Sequence, residues 1–66
     1  MQLLNNTKIP VETLILWEQH YRRGDYKAIA TKCNITPRQL VDFIHNGEMP
    51  EDVMKAFTDY YTTRSQ

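Results

Sequence analysis

The chain has 66 residues, eight basic and eight acidic side chains, no net formal charge, 41% hydrophobic residues and 24% charged. A chain this short hides only about 60% of the surface its unfolded form exposes, which excludes a second domain and any large enclosed pocket. Balanced charge excludes a polycationic binder, and ordinary composition excludes a disordered or low-complexity chain.

One cysteine, Cys33, cannot close an internal disulfide. A small fold without that staple suits a reducing compartment. The longest apolar run, Leu14-Ile15-Leu16-Trp17, falls far short of the roughly 20 residues that cross a bilayer. Met1 to Pro10 lacks the charged start and long apolar stretch of an export signal. The expectation is a single cytoplasmic domain over residues 1–66, with no membrane partner. Residues before Thr7 and after Thr62 are expected to fray, leaving an ordered core from about 8 to 62.

Four helical segments follow in chain order. Pro10 opens the first, since its missing donor costs nothing at a helix start. Val11, Leu14, Ile15, Trp17 and Tyr21 recur at helical spacing as an apolar arc, with Leu16 on the far side. Glu18 falls beside that arc, where Arg22 one turn on would be its partner. Arg22 and Arg23 complement the dipole in the last turn, and Gly24 stops the helix. Asp25 caps the second helix, whose stripe is Tyr26, Ile29, Ala30 and Cys33. Asn34 ends it in the left-handed conformation that asparagine tolerates. Thr36 caps a third helix with Pro37 at its first position, and Leu40, Phe43 and Ile44 form its buried stripe. Asn46-Gly47 terminates it. The fourth begins near Met49-Pro50, with Glu51 and Asp52 in its first turn and Val53, Phe57, Tyr60 and Tyr61 on its apolar face. No segment shows sustained strand alternation, so the class is all-α, a compact four-helix domain.

Charge is unevenly placed. Between His20 and His45 lie Arg22, Arg23, Lys27, Lys32 and Arg38 against Asp25 and Asp42, an excess of three positive charges that the acidic flanks cancel. The middle of the chain is therefore the part able to present a positive face.

The same middle carries the one informative constellation. Two short helices are joined by Asn34-Ile35-Thr36, with small Ala30 where a crossing helix must approach closely, an apolar residue after the turn and a hydroxyl cap next. In these residues, with Cys33 ending the first helix and Leu40 and Phe43 inside the second, the chain resembles the lambda-repressor/Cro-like helix-turn-helix family. The likeness covers roughly Val11 to Tyr61. Asn34 stands where the family usually has glycine, Gly47 falls about one residue late, and there is room for about four helices rather than five.

The resemblance implies a central helix-turn-helix that binds double-stranded DNA, commonly as a small repressor of phage or mobile-element promoters, with helix 37–45 in the major groove. With Leu40, Phe43 and Ile44 turned inward, Arg38, Val41, Asp42 and His45 fall on the opposite face and Gln39 at its edge. Arg38 suits guanine, Gln39 adenine, Asp42 a cytosine amino group and Val41 a thymine methyl. The dull alternative for Arg38 and Asp42 is an exposed ion pair one turn apart. Arg22, Arg23, Lys27, Lys32 and Thr36 are the candidate phosphate contacts, Lys27 beside the exposed N–H groups of a helix start.

Leu16, Tyr60 and Tyr61, with Leu3 and Leu4, are candidates for a homodimer or partner surface. His20 and His45 lack partners at metal spacing, and Cys33 reads as a packed small hydrophobe. Trp17, Tyr21, Tyr26 and Phe57 read as core. No phosphate loop, metal cluster or nucleophile–base pair is present, so no enzyme activity, cofactor or small-molecule substrate is expected. The rival reading is a protein-interaction module on the same fold, an inhibitor or antirepressor, which the zero net charge and Asp42 on the reading face favour.

Overall fold

The computed structural model of the chain describes residues 6–66. In order the elements are β1 (Asn6–Lys8), α1 (Val11–His20), α2 (Asp25–Cys33), α3 (Pro37–Asn46), β2 (Glu48–Pro50) and α4 (Glu51–Arg64). The protein is an all-α, four-helix domain, to which the two strands add a small antiparallel ladder with Asn6 opposite Pro50, Thr7 opposite Met49 and Lys8 opposite Glu48.

That ladder is a correction to the expectation of helices alone. Strands of three residues are too short for alternation to show, and a lone two-stranded ribbon is marginal in water. Here Met49 is fully buried, Ile9 is 6% exposed, and the Ile9 N–H donates to the Gly47 carbonyl at 2.9 Å. Gly47 has φ 79°, a left-handed turn that leads α3 directly into β2. Regular structure thus extends beyond the expected 8–62 core, taking in Asn6 and Thr7 in β1 and running past Thr62 to Arg64 in α4. Leu3 and Leu4 lie outside the described residues.

α4 is the centre of the packing. Val53, Phe57 and Tyr61, four apart, form one ridge, and with Met54 they meet Ile9, Ile29, Leu40 and Met49 in a single core. Each large side chain buried there contributes about 1.5–3 kcal/mol. α4 packs against α1, α2 and both strands, whereas α3 packs against α2 and β2.

The phase of α1 differs from the expected arc. Thr13 is 3% exposed, its hydroxyl 3.3 Å from that of Thr58 on α4, and Leu16 and Trp17 pack against the core. Val11, Ile15 and Tyr21 lie outward at 67%, 47% and 42% exposed. Apolar residues occur nearly all around this helix, so periodicity alone does not choose a face. The ladder entering at Ile9 and the Thr13–Thr58 contact choose it. Glu18 is exposed and takes no ion pair with Arg22. α1 ends at His20, with Tyr21 as its C-cap, so Arg22 and Arg23 sit in the connection to α2 rather than in a last helical turn.

The middle of the chain follows the sequence closely. Ile29 and Ala30 are buried, and Asn34 closes α2 at φ 59°, ψ 40°, a left-handed residue. Ile35 N–H then donates to the Ala30 carbonyl at 3.0 Å. Thr36 starts α3 with a complete capping box. Its hydroxyl accepts from the Gln39 N–H at 3.1 Å, and the Gln39 side-chain oxygen accepts from the Thr36 N–H at 2.9 Å.

Candidate nucleic-acid interface

α3 buries Leu40 completely and leans Phe43 and Ile44 on the core. Because this helix is held from one side, its opposite side stays open. Arg38, Val41, Asp42, His45 and Asn46 line one open, shallow depression there. Arg38, Asp42 and His45 are exposed and Val41 is half-buried. From Arg38 to His45 the helix rises about 10 Å, the length of about three base-pair steps.

Arg38 and Asp42 do not pair with each other. Among the described residues the ion pair is Asp25–Arg64. Both α3 charges are therefore presented outward rather than spent on one another. The face holds a cation, a carboxylate, an imidazole and a branched apolar group, a mixed set better suited to reading base edges than to gripping a uniform backbone.

Gln39 is placed differently. It does not line the depression, and its carbonyl oxygen is engaged in the capping box. A bidentate contact to adenine needs that oxygen, so the side chain can offer only its amide N–H group without opening the cap. Gln39→Ala is expected to lower stability by about 0.5–1 kcal/mol, whereas Gln39→Glu, which preserves the reach-back to Thr36, retains most of it. A pair of urea melts checks this.

The five expected phosphate contacts all lie at the surface. Arg22, Arg23, Lys27 and Thr36 are exposed. The Thr36 hydroxyl accepts within the cap, which leaves its proton to donate outward. Lys32 lines a separate depression with Asp59, Tyr60, Thr63 and Arg64, its ammonium 5.9 Å from the Tyr60 ring centre.

The N-terminus of α2 is the largest surprise. Gly24, at φ 93°, holds the cap position, and Asp25 is the first helical residue, 3% exposed. The Asp25 carboxylate accepts from the Arg22 N–H at 2.7 Å, the Tyr60 hydroxyl at 2.9 Å, the Tyr61 hydroxyl at 3.0 Å and Arg64 at 2.6 Å. Arg64 also donates to the His20 carbonyl at 3.0 Å, tying the end of α1 into the cluster. Burial pushes the Asp25 carboxyl up, but the Arg64 guanidinium, the Arg22 amide and the two tyrosine hydroxyls outweigh it and hold the group below its usual range. A carboxylate already occupies the positive end of this helix, so the dipole there is not available to a phosphate in the way the sequence suggested.

The same cluster corrects the partner surface read from Leu16, Tyr60 and Tyr61. Tyr61 is fully buried, Tyr60 is half-buried with its hydroxyl on Asp25, and Leu16 packs against the core. The Asp25 carboxylate accepts from both tyrosine hydroxyls, which lets two tyrosines pack in so small a domain, and its partners on α4 lie 35 to 39 residues away. Cys33 packs as a small hydrophobe. Burial raises its thiol and the Asp52 charge raises it further, so the reactive thiolate is disfavoured.

Searches with family models, curated proteins and solved structures found no match to this chain. No helix among the described residues is long and apolar enough to cross a membrane.

Proposed function

We propose that this chain binds double-stranded DNA as a sequence-specific transcriptional regulator, reading the major groove with α3 in the manner of the helix-turn-helix repressors it resembles. The observation that carries this reading is the free outer face of α3, where Arg38, Val41, Asp42 and His45 stand together on a helix fixed from behind by α2 and β2. In this reading Arg38 takes a guanine, Val41 a thymine methyl and Asp42 a cytosine amino group, with His45 at the far end of the footprint. Gln39 contributes an N–H from the edge. Arg22, Arg23, Lys27 and Thr36 take phosphates.

Selection of bound duplexes from a random pool at about 0.15 M salt tests it, and an enriched motif of defined sequence is the expected result. With three to five phosphates neutralised, log affinity is expected to fall against log salt with a slope of about −3 to −5 per domain. Binding confined to low salt with no enriched sequence overturns the reading and favours the protein-interaction module.

A further inference from the structure

Asp42 brings a carboxylate to the open face of α3. It is exposed, stands one turn from Arg38, and lines the same depression with Val41, His45 and Asn46. The ion pair among the described residues is Asp25–Arg64, so Arg38 does not neutralise the Asp42 charge. The chain as a whole carries no net charge. A surface that meets a polyanion is weakened by each carboxylate it presents. Asp42 therefore works against binding unless a specific partner offsets it.

We propose, resting on the DNA-binding reading of α3, that Asp42 selects by rejection and holds the domain off any duplex that places no amino group opposite it. In the major groove guanine offers N7 and O6, and thymine offers O4. All are acceptors, against which a carboxylate is repelled and loses its hydration without compensation. Adenine offers its N6 amino group but sets the N7 acceptor beside it. Cytosine presents the N4 amino group with no acceptor of its own on that edge. Cytosine is thus the base that Asp42 admits, through a charge-assisted hydrogen bond.

From Arg38 to Asp42 the helix rises about 6 Å, close to two base-pair steps. The admitted cytosine accordingly lies about two steps from the guanine that Arg38 takes. The two side chains act with opposite sign. Arg38 adds affinity at its base, whereas Asp42 removes affinity everywhere except at its own.

Titrations at about 0.15 M salt test this, using the full chain and Asp42→Asn on the selected duplex, its versions with each other base at the cytosine position, and a scrambled duplex. The asparagine amide is uncharged and carries both a donor and an acceptor, so it tolerates every base edge. Asp42→Asn is expected to bind the scrambled duplex about 3- to 10-fold more tightly, the effect of removing one like charge at this salt. The preference for cytosine is expected to fall about tenfold or more, while the guanine preference two steps away persists. Asp42 is exposed and outside the core, so the urea melt stays unchanged. Asp59→Asn, which removes an exposed carboxylate from α4, is expected to leave the cytosine preference intact.

A wild-type chain that enriches no sequence overturns this proposal together with the DNA-binding reading. An enriched motif lacking such a cytosine overturns the proposal alone. So does an Asp42→Asn variant that keeps the cytosine preference or binds the scrambled duplex no more tightly. Loss of that preference in Asp59→Asn would equally overturn it, since the effect would then belong to total charge rather than to the face of α3.

Discussion

Asp25→Ala is expected to destabilise the domain by about 2–4 kcal/mol, read from a urea melt. The substitution leaves the Arg22 N–H and the buried Tyr61 hydroxyl without their acceptor and strips Arg64 of its carboxylate. Arg64 retains 22% of its side-chain exposure and can turn to water, which keeps the cost below that of a fully enclosed pair. A domain of 66 residues has about 3–10 kcal/mol in total, so the loss is a large share of it.

Asp25→Asn, which keeps the shape and one acceptor, is expected to cost less and to change the response to acid. The native carboxyl is held below its ordinary value of 3.8, so as pH falls the unfolded chain takes up this proton first. The stability that the charge contributes is present above about pH 5 and is lost as pH drops through 3.8 and below. The gap between wild type and Asp25→Asn should therefore narrow in acid. A constant gap from pH 6 to pH 3 would show that the carboxylate is not the acceptor the cluster depends on. Burial, followed by its hydrogen bond to Asp25 and then the Asp25 charge, pushes the Tyr61 phenol far up, so that hydroxyl donates throughout the range.

Arg38→Ala is the second large effect, and it falls on recognition rather than on folding. Arg38 is exposed and is not part of the core, so the melt should be unchanged. Affinity for the selected duplex is expected to fall by about 10- to 100-fold, with the preference relaxed at one base position. Lys27→Ala, by contrast, should weaken all duplexes alike and reduce the salt slope by about one. Parallel titrations of the two variants on the selected and a scrambled duplex distinguish a base reader from a phosphate contact. Equal losses on both duplexes for Arg38→Ala would remove α3 from base reading.

What could be read without coordinates was what local chemistry decides. The αL residue at Asn34, the Thr36 cap with Pro37 behind it, the turn at Gly47 and the ridge Val53–Phe57–Tyr61 each follow from a few neighbouring residues. The open face of α3 followed from the stripe that buries Leu40. What escaped depends on distant partners. The ladder joins residues 40 to 44 apart in sequence (48 − 8 and 50 − 6) and is too short to leave a period of two. Asp25 looks like an ordinary cap until four donors, three of them on α4, converge on it. α1 carries apolar residues on both sides, so its inward face is settled by Thr13 meeting Thr58, a contact no hydropathy pattern contains.

The pairing of β1 with β2 also sets an order of assembly. During synthesis β1 and α1 emerge first, yet β1 finds its hydrogen-bonding edge only when Glu48–Pro50 follows, and α1 its packing surface only when α4 follows. α2 and α3, joined by three residues, can close on each other at once. α1 must therefore wait, its apolar side chains in water, until α4 arrives and gives it and β1 a surface to pack on.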